Sequence, residues 1–331
     1  MESTLINLST SCPFNLAGVD SEYFVAGINN HIFNQIPFMP PDTYWCGLLF
    51  WPYDSGDNTK QKAISSQSIN WSLVKNAEPG YGEKGYKRVP IYSWATTGAR
   101  AITNASPIVF PTATADWGHV IGIVLYDAPV GGNAIWWQSF TIFLDGKDVH
   151  AGQTVTVPAE KLEAEWSYVE RNGVAVRGGS NYLSDKLRRW LFLGESFAPP
   201  DLYFAVSSTQ IDIDSIGSDL TEPAVDGYFR WRVYPHASLE SPRFSSFDPA
   251  ITGARKISIE APDSFIPETD EDWGLMWTAV VDSETPGTGN ILFFANYNTV
   301  LIEYPLPIEA YTSENGKTIN LTNSFIGLSV V

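Results

Sequence analysis

The sequence predicts a mainly β chain: two tandem antiparallel β-sandwich domains, each preceded by a short α-helix. Three observations lead there. Val, Ile, Thr, Tyr, Phe and Trp are abundant and are interrupted about every 8 to 12 residues by Gly, Pro, Asn or Asp, the cadence of antiparallel strands and turns. Alternation at Val155 and Val157 between Thr154 and Thr156, and at Ile211 and Ile213 between Asp212 and Asp214, predicts half-buried strands, whereas Val120 to Tyr126 and Ile291 to Phe294 are apolar on both faces and predict central ones. Thirdly, the chain repeats itself.

Thr97-Gly98-Ala99-Arg100-Ala101-Ile102-Thr103 returns as Thr252-Gly253-Ala254-Arg255-Lys256-Ile257-Ser258. Asp116-Trp117-Gly118 returns as Asp272-Trp273-Gly274, Asp127 as Asp282, and Gly132-Asn133 as Gly289-Asn290. Upstream, Phe38 to Trp45 corresponds to Phe197 to Phe204 through the shared Pro-Pro-Asp-x-Tyr, and Gly85-Tyr86-Lys87-Arg88 to Gly227-Tyr228-Phe229-Arg230. Anchors kept in one order across each half predict duplication of a whole domain. A length of 331 residues also exceeds what one core usually serves.

The first domain is expected over residues 26–178, after an N-terminal arm of residues 1–25, and the second over 179–331. Glu170-Arg171-Asn172-Gly173 and Arg177-Gly178-Gly179 mark the junction. Residues 181 to 193 place Tyr182, Leu183, Leu187, Trp190 and Leu191 at helical spacing, with Gly194 where a left-handed cap belongs. Ala26 to Gln35, with Ile28 and Ile32, is the counterpart. Each helix is followed by a Pro-Pro pair, which stops helical propagation. The copies differ in their loops: Tyr44 and Gly85 are farther apart than Tyr203 and Gly227, so the first copy carries an insertion, and insertions go to surface loops.

Composition narrows the function. A formal charge of −17 with no Lys/Arg stripe repels a phosphate backbone and argues against nucleic acid. No basic leader precedes an apolar core and no run of about 18 apolar residues occurs, so neither a signal peptide nor a membrane span is expected. The two cysteines, Cys12 and Cys46, read as core thiols. Charged residues make up 17% of the chain, below the roughly 25% of ordinary soluble proteins, while aromatics are plentiful, which suits a surface committed to protein partners.

The recurring residues read as packing and turn elements. Trp117 and Trp273 each precede the glycine (Gly118, Gly274) that opens an apolar strand and are expected as core anchors, a sugar-stacking platform being the other reading. Asp127 to Asn133 and Asp282 to Asn290 read as hairpin turns, with calcium coordination as the alternative. Arg100 and Arg255 fall within expected strands and need a partner, for which Asp116 and Asp272 are candidates, or a ligand. The four histidines lack metal spacing, and no nucleophile elbow, phosphate loop or dinucleotide fingerprint occurs, so neither an enzyme nor a cofactor is expected. Asp212, Asp214 and Asp219 are the weak candidates for a metal; Glu268, Asp270, Glu271 and Asp272 form a second acidic cluster.

The segments Phe110-Pro111-Thr112-Ala113-Thr114-Ala115-Asp116-Trp117-Gly118-His119-Val120, Tyr126-Asp127-Ala128-Pro129-Val130-Gly131-Gly132-Asn133 and Gly152-Gln153-Thr154-Val155-Thr156-Val157-Pro158-Ala159 together resemble a family of small bacteriophage virion proteins, labelled tail-fibre or minor structural proteins. The second copy matches upstream through Pro200-Asp201-Leu202-Tyr203-Phe204-Ala205-Val206. The resemblance implies a virion component made in the host cytoplasm. Its expected partners are other virion proteins, capsid or tail, and copies of itself, with a glycan as a further candidate ligand. With the duplication added, a capsid cement protein bridging neighbouring subunits is the first expectation. A tail-fibre or baseplate component with a glycan- or receptor-binding role is the second.

Overall fold

A computed structural model describes residues 4–7, 19–50, 82–139, 147–165, 168–171, 174–224, 228–240, 243–244, 257–260, 274–275, 277–295, 312–313 and 325–326. The fold is mainly β, with two α-helices and several antiparallel sheets. Cys12, Arg255, Trp273 and the acidic cluster from Glu268 to Asp272 lie outside the described residues. The chain separates into two compact units, one of residues 1–24, 40–165 and 330–331, the other of residues 25–39 and 166–329.

The first unit centres on an antiparallel sheet. Its strands are β1 (Val19–Asp20), β2 (Tyr44–Phe50), β3 (Val89–Ile91), β4 (Gly118–Tyr126) and β5 (Ala134–Ser139), in the order β1-β5-β4-β2-β3. Lys147–Val149 adds to the start of β4. Central placement explains the apolar run of β4: Val120, Ile123, Val124, Leu125 and Tyr126 are all fully buried. A smaller sheet holds Gln153–Val157, whose Val155 and Val157 are buried, between Ile108–Val109 and the parallel strand Thr4–Asn7.

The second unit centres on β6 (Val174–Gly179), β7 (Leu202–Ser207), β8 (Trp231–Val233), β9 (Trp277–Val281) and β10 (Ile291–Ala295). Their order is β6-β10-β9-β7-β8, with Tyr168–Arg171 outside β6. Strand for strand this is the path of the first unit. Every residue of β7 is buried, with Tyr203 and Ala205 joining Ala279, Val281, Ile291 and Phe294 in one cluster.

Helix α1 (Glu22–Phe33) follows β1 and precedes the other four strands of the first sheet, and α2 (Asn181–Leu193) likewise follows β6 and precedes β7 to β10. The α2 boundaries follow from its ends: the Ser180 hydroxyl accepts the Leu183 N–H at 3.1 Å, and Gly194 closes the helix in a left-handed conformation. Helix α1 starts four residues before the expected Ala26, because Ser21 caps the Phe24 N–H at the same 3.1 Å.

Three local expectations are corrected. Arg100 is not within a strand; Thr97 pairs with Ala101, which makes Gly98 to Arg100 a three-residue hairpin loop. Ile211 to Asp214 is not a strand either. The Asp212 side chain accepts the Ile213 N–H at 2.6 Å and its own N–H goes to the Ser215 hydroxyl at 2.9 Å, a turn whose alternation only mimics a strand. The third concerns register: Cys46 pairs with Val89 and Leu125, as Phe204 pairs with Trp231 and Val280. Trp45, not Tyr44, therefore takes the place of Tyr203, one position off the match made through Pro-Pro-Asp-x-Tyr.

Candidate functional site

A polar node sits at the same corner of each sheet, where helix, β-bulge and hairpin loop meet. It begins with the bulge. Leu125 faces Trp136 while Tyr126 faces Ala134, so Ile135 is left over in β5; Val280 faces Phe293 while Val281 faces Ile291, so Leu292 is left over in β10. The surplus carbonyl caps the helix start: Ile135 O accepts the Ser21 N–H at 2.8 Å, and Leu292 O accepts the Ser180 N–H at 2.9 Å.

The loop beside each bulge is closed by an aspartate. Asp127 Oδ1 accepts the Asn133 N–H at 2.6 Å and Oδ2 accepts Asn133 Nδ2 at 2.8 Å; Asp282 and Asn290 repeat both bonds at the same distances. Between them Gly132 and Gly289 adopt φ of 68° and 75°. A Cβ on Gly132 would lie 2.3 Å from Asp127 Oδ1, and one on Gly289 would lie 2.7 Å from Asp282 Oδ1. Only glycine fits, both for its left-handed backbone and for the carboxylate beside it.

An arginine from the strand region opposite fills each loop. Arg88 Nη1 donates to Ala128 O at 2.9 Å and Gly131 O at 2.8 Å, and Arg230 Nη1 donates to the matching carbonyls of Ser283 at 2.8 Å and Thr288 at 2.9 Å. Two residues earlier a tyrosine hydroxyl accepts a β-strand N–H, from Leu48 to Tyr86 at 2.8 Å and from Val206 to Tyr228 at 3.4 Å. A second tyrosine, from the first turn of each helix, reaches the aspartate–asparagine clamp. The Tyr23 hydroxyl lies in the field of Asp127 and that of Tyr182 in the field of Asp282; burial first, then the aspartate charge, raises the pKa of both.

Each arginine has a further contact of its own. Arg88 lies with its guanidinium carbon 3.2 Å from the centre of the Tyr126 ring. Arg230 is wholly buried and forms a two-pronged pair with Glu222, whose carboxylate also takes the Tyr228 hydroxyl at 2.6 Å and the Gly287 N–H at 2.9 Å. Burial, then this bond to Glu222, pushes the Tyr228 hydroxyl pKa up.

Other expected residues fall elsewhere. Trp117 is buried, donates its indole N–H to Lys84 O at 2.8 Å and meets Tyr86 edge-on at 5.3 Å. Gly118 opens β4, and Gly274 pairs with Ser313 in a short ladder. Arg100 is buried, yet Asp116 is not its partner: that exposed carboxylate accepts the Ala151 N–H at 2.9 Å and lies 3.3 Å from His150 Nδ1. The Ala151 bond and then His150 hold the Asp116 pKa low.

Asp212, Asp214 and Asp219 do not converge: they accept from different donors, Ile213 N–H, Asn181 Nδ2 and Ile216 N–H respectively. Among the described residues no group of three or more His, Cys, Asp and Glu is arranged to hold a metal ion, and no helix is long and apolar enough to cross a membrane.

In the sequence Arg88 and Arg230 are matched letters without a role, and Ser21, Ser180, Tyr23 and Tyr182 do not stand out as a set. Their partners are backbone groups or residues far along the chain, which no local motif reveals. The node's hydrogen bonds tie helix, bulge and hairpin loop together in each unit.

No curated protein matches this sequence. Residues 20–165, somewhat under half of the chain, match the model of a family described as podophage GP4 fiber I protein gp80. That segment runs from the strand before Ser21 through the whole first node, and its similarity to a phage fibre family supports a bacteriophage virion structural protein.

Proposed function

We propose that this chain is a non-enzymatic fibre component of a bacteriophage virion, built from two copies of one fibre-family domain joined head to tail. The observation that carries the reading is the node. The family match covers the first copy, and the Ser, Tyr, Arg, Asp and Asn contacts of that copy recur with the same partners between Ser180 and Asn290. The same strand order and the same bulge support descent from one ancestral domain. What the copies share is spent on holding the fold, so their unlike loops are left to meet other tail proteins, further copies of the chain, or a host surface glycan.

The capsid-cement role expected from the duplication has no support in the family match, which favours the fibre alternative. Gold-labelled antibodies raised against the purified chain test the assignment on intact particles. Label at the tail is expected; label spread over the head would refute it.

A further inference from the structure

Within the second unit, residues 25–39 meet the end of α2 and the segment after it through ring contacts that are mirrored. Counted from the capping serines Ser21 and Ser180, His31 matches Trp190 and Phe38 matches Phe197. His31 stacks on Trp190 itself, ring centres 4.1 Å apart and planes at 28°. The flanking contacts reciprocate: His31 lies 5.7 Å from Phe197, and Phe38 lies 6.0 Å from Trp190. The helix ends match as well. Gln35 and Gly194 are both left-handed, with Ile36 N–H bonded to Asn30 O at 3.1 Å and Glu195 N–H to Arg189 O at 3.2 Å.

A residue stacked on its own equivalent, flanked by a contact from i to j that is answered by one from j to i, is the mark of an isologous two-fold interface. We propose that residues 25–39 are a self-recognition element whose contact with α2 is a two-fold dimer contact made within one chain. The partner this surface fits is a second copy of the repeat, and covalent linkage supplies that copy at high effective concentration. A relative with a single repeat would pair with itself through the same residues. This rests on the duplication reading but not on the place of the chain in the virion.

Two-fold character predicts that equivalent residues can be exchanged. His31→Trp and Trp190→His are each expected to lower the unfolding midpoint of the full chain, and the double variant to recover about half or more of the summed loss, since it rebuilds the same stack with its members reversed. Losses that simply add would overturn the proposal while leaving the Asp127 and Asp282 nodes, and so the duplication, intact. As a second measurement, a protease site placed after Glu165 in the otherwise unaltered chain allows residues 25–39 to be cut from the remainder of their unit. The fragments are expected to co-elute at the size of the intact chain, and their separation would count against a dimer-like contact.

Discussion

Arg230 meets Glu222 through two parallel hydrogen bonds, Nε to Oε1 at 2.9 Å and Nη2 to Oε2 at 3.0 Å, with the two side chains 0% and 6% exposed. Burying both charges is tolerable because every remaining edge is used, by Ser283 O, Thr288 O, the Tyr228 hydroxyl and the Gly287 N–H. Arg230→Met strands the Glu222 charge and is expected to cost about 3–5 kcal/mol in urea unfolding. Arg230→Met with Glu222→Leu should cost less than Arg230→Met alone, although it changes more atoms, because no charge is left unpaired. Equal or greater loss in the double variant would mean that the charge pair is not what the site depends on.

Asp127 and Asp282 are expected to be matched in effect. Each carboxylate accepts a backbone and a side-chain bond from its asparagine, and a bond to a charged acceptor is worth roughly 1.5–3 kcal/mol. Alanine at either position should destabilise the chain by about 2–4 kcal/mol, read by chemical denaturation. Losses differing by more than about 2 kcal/mol between the two sites would argue that the clamps are not equivalent.

Gly132→Ala and Gly289→Ala place a methyl group against the carboxylate of the same clamp and force a left-handed residue to carry a Cβ. Each is expected to cost about 1–3 kcal/mol. Gly131→Ala serves as the control: its φ is also positive, but open space surrounds the added Cβ, so it should cost less than Gly132→Ala.

His31 links stability to pH. Its Nδ1 accepts the Phe38 N–H at 3.2 Å, so the neutral ring carries its proton on Nε2 and donates to Phe197 O at 2.9 Å. Burial lowers its pKa, with the Phe197 carbonyl opposing in part. In the unfolded chain the ring protonates near pH 6.5, whereas in the folded chain it does so only at lower pH. The stability it contributes is therefore complete above about pH 6.5 and is lost as the pH falls from there through the folded value. Replacing His31 with Gln should flatten the decline in unfolding free energy between about pH 7.5 and pH 5.5. An unchanged slope would show that other groups set it.

The elements most legible in the sequence were those with chemistry at their ends. Gly194 marks the end of α2 by its left-handed conformation, and Val120 to Tyr126 is readable as a central strand from its apolar faces. Helix α1 was placed too late, because Tyr23-Phe24-Val25 packs apolar residues side by side and blurs the helical period. The match of β2 to β7 is off by one because the shared Pro-Pro-Asp-x-Tyr sets Tyr44 against Tyr203, whereas strand pairing sets Trp45 there. At Ile211 to Asp214 the alternation was real but belonged to a turn, where Asp212 and Ser215 satisfy the backbone locally.

The node was half legible. Aspartate, glycine and asparagine stood out because a hairpin needs them in one short stretch. The arginines did not, because Arg88 and Arg230 act on carbonyls that lie 40 or more positions away. A side chain whose partner is distant backbone leaves only its own identity in the sequence, here visible as a matched Tyr-x-Arg in each copy.

The most direct test of the fibre assignment is to disrupt purified particles, separate tails from DNA-filled heads, and quantify this chain in each fraction by mass spectrometry against the major capsid protein. The account predicts that the chain follows the tail fraction, at a small fraction of the abundance of the capsid protein. Recovery with the heads, in amounts comparable to the capsid protein, would contradict it.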